Sequence, residues 1–150
     1  IEAQLDDGQA LHALNEIFIG HRSHQSARYR LRIEDREERQ SSSGIIVATG
    51  TGATGWARSI SRERNLRLDV DAHSHRLAVL VREAFPAPGF GTELTTAMVD
   101  DGVVAVTSEM GDGGVIFGDG IESDFLRFGW GRRVELRAAN VPLRRADRTS

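Results

Sequence analysis

Short segments of the chain alternate between hydrophobic and polar residues, a period of two that is typical of strands with one buried face. In the clearest case Tyr29, Leu31 and Ile33 alternate with arginines. Two continuous apolar runs, at 44–48 and 77–81, predict further strands. Other short strands are predicted in the second half of 10–19 and at 94–99, 103–107, 114–117 and 134–136.

Glycine and aspartate separate these strands, as expected for turns. Turns are predicted at 100–102, 111–114 and 118–120, and a charged turn is predicted at 34–38. The one helix of any length is predicted at 53–64. This pattern favours a mainly β domain, an antiparallel β-sandwich-like fold with one or two short helices. We expect residues 1–150 to form this single domain, with 143–150 as a disordered tail.

Composition narrows the functional classes. The chain has 150 residues, enough for a hydrophobic core, and it has no cysteine, which excludes disulfides and thiolate metal sites. No apolar run approaches the ~20 residues that a membrane helix needs. The net charge of -3 gives no general attraction to nucleic acid. No signal peptide begins the chain, so a cytoplasmic location is expected, and the missing initiator methionine suggests part of a longer protein.

A glycine- and threonine-rich segment follows the apolar run at 44–48 and opens the predicted helix. We call residues 49–56 the glycine–threonine loop; they read Thr49-Gly-Thr-Gly-Ala-Thr-Gly-Trp56. Glycine lets a ligand approach the backbone, threonine supplies a hydroxyl, and a helix start presents unpaired N–H groups. The loop therefore points to an anionic or nucleotide-like ligand.

The same loop satisfies the Gly-x-Gly-x-x-Gly pattern of dinucleotide-binding Rossmann domains, and Asp69 lies at about the spacing of their acidic residue. Such a domain alternates strands and helices. No second helix of convincing length follows here, and the predicted strands occur in runs. Antiparallel pairing is therefore favoured over the Rossmann interpretation.

Three segments together resemble the NAD kinase family, most closely its mitochondrial-type branch and bacterial relatives. They are 13–20, which contains Asn15-Glu16, then 42–44, and the glycine–threonine loop. Segments 81–85, 118–120 and 131–136 fit less specifically. The resemblance implies transfer of the γ-phosphate of ATP, with Mg²⁺, onto the 2′-hydroxyl of the adenosine ribose of NAD.

Members of this family have an N-terminal α/β domain with a Gly-Gly-Asp-Gly motif and a C-terminal β-rich domain that binds most of the NAD. This chain resembles the second domain. The motif is absent, and the string Gly111-Asp-Gly-Gly114 is better interpreted as a turn. Because the motif carries the catalytic aspartate, we expect a fragment with no catalytic residue of its own, inactive alone. The resemblance also implies a homodimer or homotetramer.

The resemblance assigns NAD-binding roles to particular residues. Asn15 and Glu16 match the family's Asn-Glu pair, although a strand-end pair can also satisfy local backbone groups. Thr51, Thr54 and Gly55 match positions that line the adenine and ribose pocket, and either threonine would equally cap the helix.

An aromatic residue follows these positions in the loop. Trp56 stands where many members have tyrosine; it would stack on a purine or belong to the core. Ser59, one helical turn further on, is a weaker contact candidate. Ser43 stands where the commoner bacterial branch has aspartate, so no preference between NAD and NADH is carried over.

Two other readings stay open at this point. One is a lipid-kinase-like β domain of the diacylglycerol and sphingosine kinase superfamily, and the other is a non-enzymatic nucleotide-binding or dimerisation domain. The pair His73 and His75 lacks a third ligand in the sequence pattern, so a solvated pair is favoured over a metal site. The arginines at 28, 30 and 32 are interpreted as a solvated strand face.

Overall fold

Two antiparallel sheets pack face to face in the computed structural model, which describes residues 1–23, 26–49, 76–100 and 102–138. The strands are β1 (Glu2–Leu5), β2 (Ala10–His12), β3 (Glu16–His21), β4 (Ala27–Ile33), β5 (Arg36–Ser42), β6 (Gly44–Ala48), β7 (Arg76–Arg82), β8 (Thr96–Asp100), β9 (Val104–Ser108), β10 (Gly114–Gly118), β11 (Leu126–Arg127) and β12 (Arg133–Arg137). The predicted helix at 53–64 and the predicted tail at 143–150 lie outside the described residues.

Each sheet has six strands. The first has the order β2-β1-β12-β9-β4-β5 and the second the order β11-β10-β3-β6-β7-β8, and every pair of neighbouring strands is antiparallel. The predicted mainly β, antiparallel architecture is therefore confirmed. The described residues contain no parallel pair of strands, so the Rossmann interpretation finds no support in them. No helix among them is long and apolar enough to cross a membrane.

The core lies between the two sheets and draws on both. Leu31 and Leu136 come from the first sheet and Ile17 and Val79 from the second, and all four side chains are buried in one cluster. Strand β4 shows the predicted alternation, since every second residue is buried and its arginines are exposed. The prediction of a solvated arginine face on this strand is thus confirmed.

The second sheet is apolar on both faces. All five residues of β6 are buried, and alternate residues enter two different clusters: Ile45 and Val47 face the other sheet, whereas Ile46 and Ala48 join a second cluster around Phe18. This explains why β6 reads as a continuous apolar run rather than an alternating one.

Strand β5 forms an edge of the first sheet and turns polar side chains inward. The Tyr29 hydroxyl donates to Oε1 of Gln40 at 2.8 Å and lies 2.7 Å from the Ser42 hydroxyl. The Gln40 amide donates to the carbonyl of Leu94 at 2.7 Å, and the Glu38 carboxylate accepts the Leu94 N–H at 3.0 Å. Burial raises the pKa of Tyr29 far above its usual range. These bonds satisfy a buried polar row and tie the segment before β8 to the sheet edge.

Replacing Tyr29 with phenylalanine tests this network. Tyr29→Phe leaves the buried Gln40 oxygen without its donor, so the free energy of unfolding should fall by about 1–3 kcal/mol. Urea denaturation followed by tryptophan fluorescence measures the change. Ser26→Ala, which removes an exposed hydroxyl just before β4, is the control and should leave stability unchanged. Equal stability of Tyr29→Phe and the native chain would contradict the account of the edge strand.

Candidate functional site

The Asn15-Glu16 pair lies where the chain passes from the first sheet to the second. Asn15 sits between β2 and β3, and Glu16 is the first residue of β3, opposite Ala48 at the end of β6. The next residue, Thr49, donates its N–H to the carbonyl of Asn15 at 2.9 Å, and its hydroxyl donates to the carbonyl of Leu14 at 3.0 Å. The pair is thereby fixed beside the start of the glycine–threonine loop.

The other predicted site residues belong to the loop and the segment after it. Thr51, Thr54, Gly55, Trp56 and Ser59 all lie outside the described residues, as do His73 and His75. The structure therefore places Asn15 and Glu16 beside Thr49, the first residue of the loop, and the roles of the other loop residues stay predictions.

A third residue, which the sequence analysis did not single out, holds the pair in place. The carboxylate of Asp119, in the turn after β10, accepts three consecutive backbone N–H groups. Its Oδ2 accepts from Leu14 at 2.9 Å, and its Oδ1 accepts from Asn15 at 2.7 Å and from Glu16 at 3.3 Å. In return, the N–H of Asp119 donates to the carbonyl of Glu16 at 2.9 Å. Hydrogen bonds to an ionised acceptor are stronger than neutral ones, so this contact fixes the turn firmly.

The sequence Gly118-Asp-Gly120 makes this contact possible. A Cβ on Gly118 would lie 2.8 Å from the Cβ of Ala13, so only glycine lets the end of β10 come this close to the segment before Asn15. Asp119 and Gly120 have φ angles of 54° and 74°, the left-handed region that aspartate tolerates better than most side chains. The predicted turn is confirmed. The sequence pointed to the hydrogen bonds of Asp119 only through its residue type, because an aspartate in a turn often bonds neighbouring backbone groups.

The carboxyl of Glu16 lies in an unusual electrostatic environment. Its side chain is half-buried, and its Oε2 is buried with no hydrogen-bond partner, the one such side-chain atom in the described part of the chain. Burial raises the pKa of the Glu16 carboxyl, and the nearby charge of Asp119 raises it further. A carboxylate oxygen without a donor is suited to accept a hydroxyl from a ligand.

The structure also describes Ser43 and the predicted turn before β10, two further features from the sequence analysis. The Ser43 hydroxyl donates to the Glu83 carboxylate at 2.8 Å. Residues 111–113 form the predicted turn that leads into β10. Across the described ranges, no group of three or more histidine, cysteine, aspartate or glutamate side chains is arranged to hold a metal ion.

No protein-family model matches the sequence, and no curated protein matches it significantly. Solved structures do match. The NAD kinase of Archaeoglobus fulgidus, determined in complex with ATP, superimposes with a TM-score of 0.68 and 22% identity, over 94% of this chain and 51% of that one. The yeast NADH kinase, complexed with NADH, superimposes with a TM-score of 0.68 and 17% identity, over 89% of this chain and 38% of that one.

The chain has the fold of part of an NAD kinase. The resemblance predicted from Asn15-Glu16 and the glycine–threonine loop is therefore confirmed at the level of the fold. The chain spans about half the length of the archaeal kinase and less of the yeast enzyme, so the activity of such a whole protein is a separate question.

The half-buried carboxyl of Glu16 predicts a free energy of unfolding that depends on pH. The folded state raises the pKa of this carboxyl above its ordinary 4.5. As the pH rises from 4.5 to the pKa of the folded state, ionisation of Glu16 therefore lowers the stability of the native chain. Glu16→Gln cannot ionise and keeps the shape. Its free energy of unfolding, relative to that of the native chain, should therefore increase between about pH 4 and about pH 7.

Urea denaturation at several pH values measures this difference. The matched control is Glu93→Gln, which makes the same chemical change at an exposed carboxyl outside the site. A constant gap between Glu16→Gln and the native chain across the range would show that Glu16 ionises without cost.

Proposed function

We propose that this chain is the dinucleotide-binding domain of an NAD kinase. Asn15 and Glu16 would bind the ribose and nicotinamide side of NAD, and Thr51, Thr54, Gly55 and Trp56 would line the adenine and ribose pocket, with Ser59 next to it. The fold shared with the archaeal and yeast kinases supports this assignment. The observation that carries it is the buried Oε2 of Glu16, which has no hydrogen-bond partner. Glu16 follows Asn15, whose carbonyl accepts the N–H of Thr49 at the start of the glycine–threonine loop.

The chemistry of the pair suits a sugar. The two vicinal hydroxyls of a ribose are donors, and the carboxylate of Glu16 offers acceptors to them. Bonding a hydroxyl would also give the buried Oε2 its missing partner, so the cost of placing a charge there is offset only when ligand is present. The amide of Asn15 donates and accepts at once, which suits a carboxamide or a hydroxyl.

The reaction proposed for the whole protein is transfer of the γ-phosphate of ATP to the 2′-hydroxyl of the adenosine ribose of NAD. The acceptor oxygen bonds to the γ-phosphorus, the bond from that phosphorus to the β,γ-bridging oxygen breaks, and ADP and the hydroxyl proton depart. This domain contributes by holding the acceptor still, since phosphoryl transfer depends on positioning and electrostatics. The described residues hold no group of three or more metal-ligating side chains, and the family resemblance assigns the magnesium and phosphate contacts to the N-terminal domain of such a kinase.

We also propose that the chain forms a homodimer or homotetramer, as the family resemblance implies. Sedimentation velocity on the isolated chain tests this directly, and a monomer at micromolar concentration would count against it.

Titration calorimetry with NAD and NADH tests the binding function. The native chain should bind at least one of them. Glu16→Ala should weaken that binding by roughly 10- to 150-fold, because a hydrogen bond to a charged group contributes about 1.5–3 kcal/mol. Trp56→Ala should weaken it by a comparable factor if the indole stacks on the purine, at about 1–3 kcal/mol.

Controls and competing outcomes make this experiment decisive. Glu93→Ala removes an exposed carboxylate and should bind as the native chain does. Binding of sphingosine or diacylglycerol vesicles without binding of NAD or NADH would favour a lipid kinase instead. A stable oligomer that binds no nucleotide would indicate a domain that serves only for assembly.

A further inference from the structure

We propose that Asp119 is a positioning residue, whose carboxylate fixes the turn that carries Asn15 and Glu16 and thereby sets the affinity for the dinucleotide. The inference rests on the proposed function, because it assigns Asp119 a role in the same site. The inference adds the turn after β10 to the proposed site. This turn lies more than one hundred residues from Asn15 and Glu16 in the sequence.

Thr49 holds the carbonyls of Leu14 and Asn15, but the N–H groups of these two residues depend on Asp119. Leu14 and Asn15 belong to no strand, because the chain is crossing from β2 in the first sheet to β3 in the second. Their N–H groups therefore lack the ladder bonds that hold strand residues. The Asp119 carboxylate takes both, together with the N–H of Glu16, at 2.9, 2.7 and 3.3 Å.

A carboxylate accepts all three N–H groups, whereas an amide would lose one of these bonds. Both carboxylate oxygens accept backbone N–H groups, Oδ2 from Leu14 and Oδ1 from Asn15 and Glu16. An asparagine keeps one acceptor oxygen, for Asn15 and Glu16, and places an NH₂ group, which is a donor, against the N–H of Leu14. The side chain of Asp119 is thus committed to the backbone, and its effect on a ligand passes through the two residues that it holds.

The charge of Asp119 also has a cost at this place. It stands near the carboxyl of Glu16 and raises the pKa of that group, after the larger effect of burial. Two neighbouring carboxylates repel each other, so a negative charge here is unfavourable for the fold unless the N–H bonds offset it. An aspartate at this position is explained if the proposed site requires an ordered Asn15-Glu16 segment.

Two variants separate the bonds. Asp119→Ala removes all three, so amide hydrogen exchange at Leu14, Asn15 and Glu16 should accelerate, and the Kd for NADH should rise roughly ten- to hundredfold. Asp119→Asn keeps an acceptor for Asn15 and Glu16. It should accelerate exchange at Leu14 alone and restore most of the affinity, a rescue that a purely structural role would not produce.

The matched control is Asp124→Ala. Asp124 lines the same cavity of about 280 Å³ as Asp119, but none of the three N–H groups bonds to it. This variant should leave exchange at 14–16 and the Kd unchanged. Thermal unfolding of all the variants is recorded in parallel. If Asp119→Ala does not fold, the graded effect of Asp119→Asn on Leu14 exchange and on the Kd decides the question.

The outcomes distinguish the two proposals. If the native chain binds NADH and Glu16→Ala weakens binding, but Asp119→Ala binds normally or leaves exchange at 14–16 unchanged, the positioning role is overturned and the proposed function stands. If the Kd changes only in proportion to lost thermal stability, with no rescue by Asp119→Asn, the positioning role is again overturned. If the native chain binds no dinucleotide, the proposed function fails and the inference fails with it.

Discussion

Glu16 lies opposite Ala48 because β3 and β6 pair in one antiparallel register, and the whole site depends on that register. The pairing brings residue 16 to the end of β6 and sets Thr49 against Asn15. Strands that are apolar on both faces specify register weakly, since a shift by one residue exchanges one apolar face for the other. Here the ring of Phe18 helps to fix it, because it occupies the space that a Cβ on Gly44 would need, with 2.5 Å to its Cε1 atom.

The strands were predictable from the sequence where buried residues recur along the chain in one simple pattern, either alternating or continuous. Strands β4, β6 and β7 were found from alternating or continuous apolar residues, and the antiparallel class followed from their spacing. Strand β5 was missed, because its first residues are charged and were assigned to a turn at 34–38. Its inward row is polar and is satisfied by Tyr29 and Leu94, contacts that no local pattern reveals. Strand β1 was missed too, since four residues are too few to show a period.

The site was predictable only in part for a similar reason. Asn15 and Glu16 are proposed as site residues from their sequence motif, and residue chemistry alone leaves them as a strand-end pair. Asp119 was assigned to a turn, and its bonds to 14–16 depend on the pairing of β10 with β3, two strands far apart in the sequence. Glu16 is a half-buried carboxyl near another carboxylate, and both burial and the charge of Asp119 raise its pKa.

The central claim is that a pyridine dinucleotide binds where the Asn15-Glu16 turn meets the glycine–threonine loop. An NMR titration of the native chain with NADH tests it most directly. The account predicts that the amide resonances of Leu14, Asn15, Glu16 and Thr49 shift together along one saturation curve. Shifts confined to a distant element, such as the β4–β5 turn, or no shifts at millimolar NADH, would contradict it.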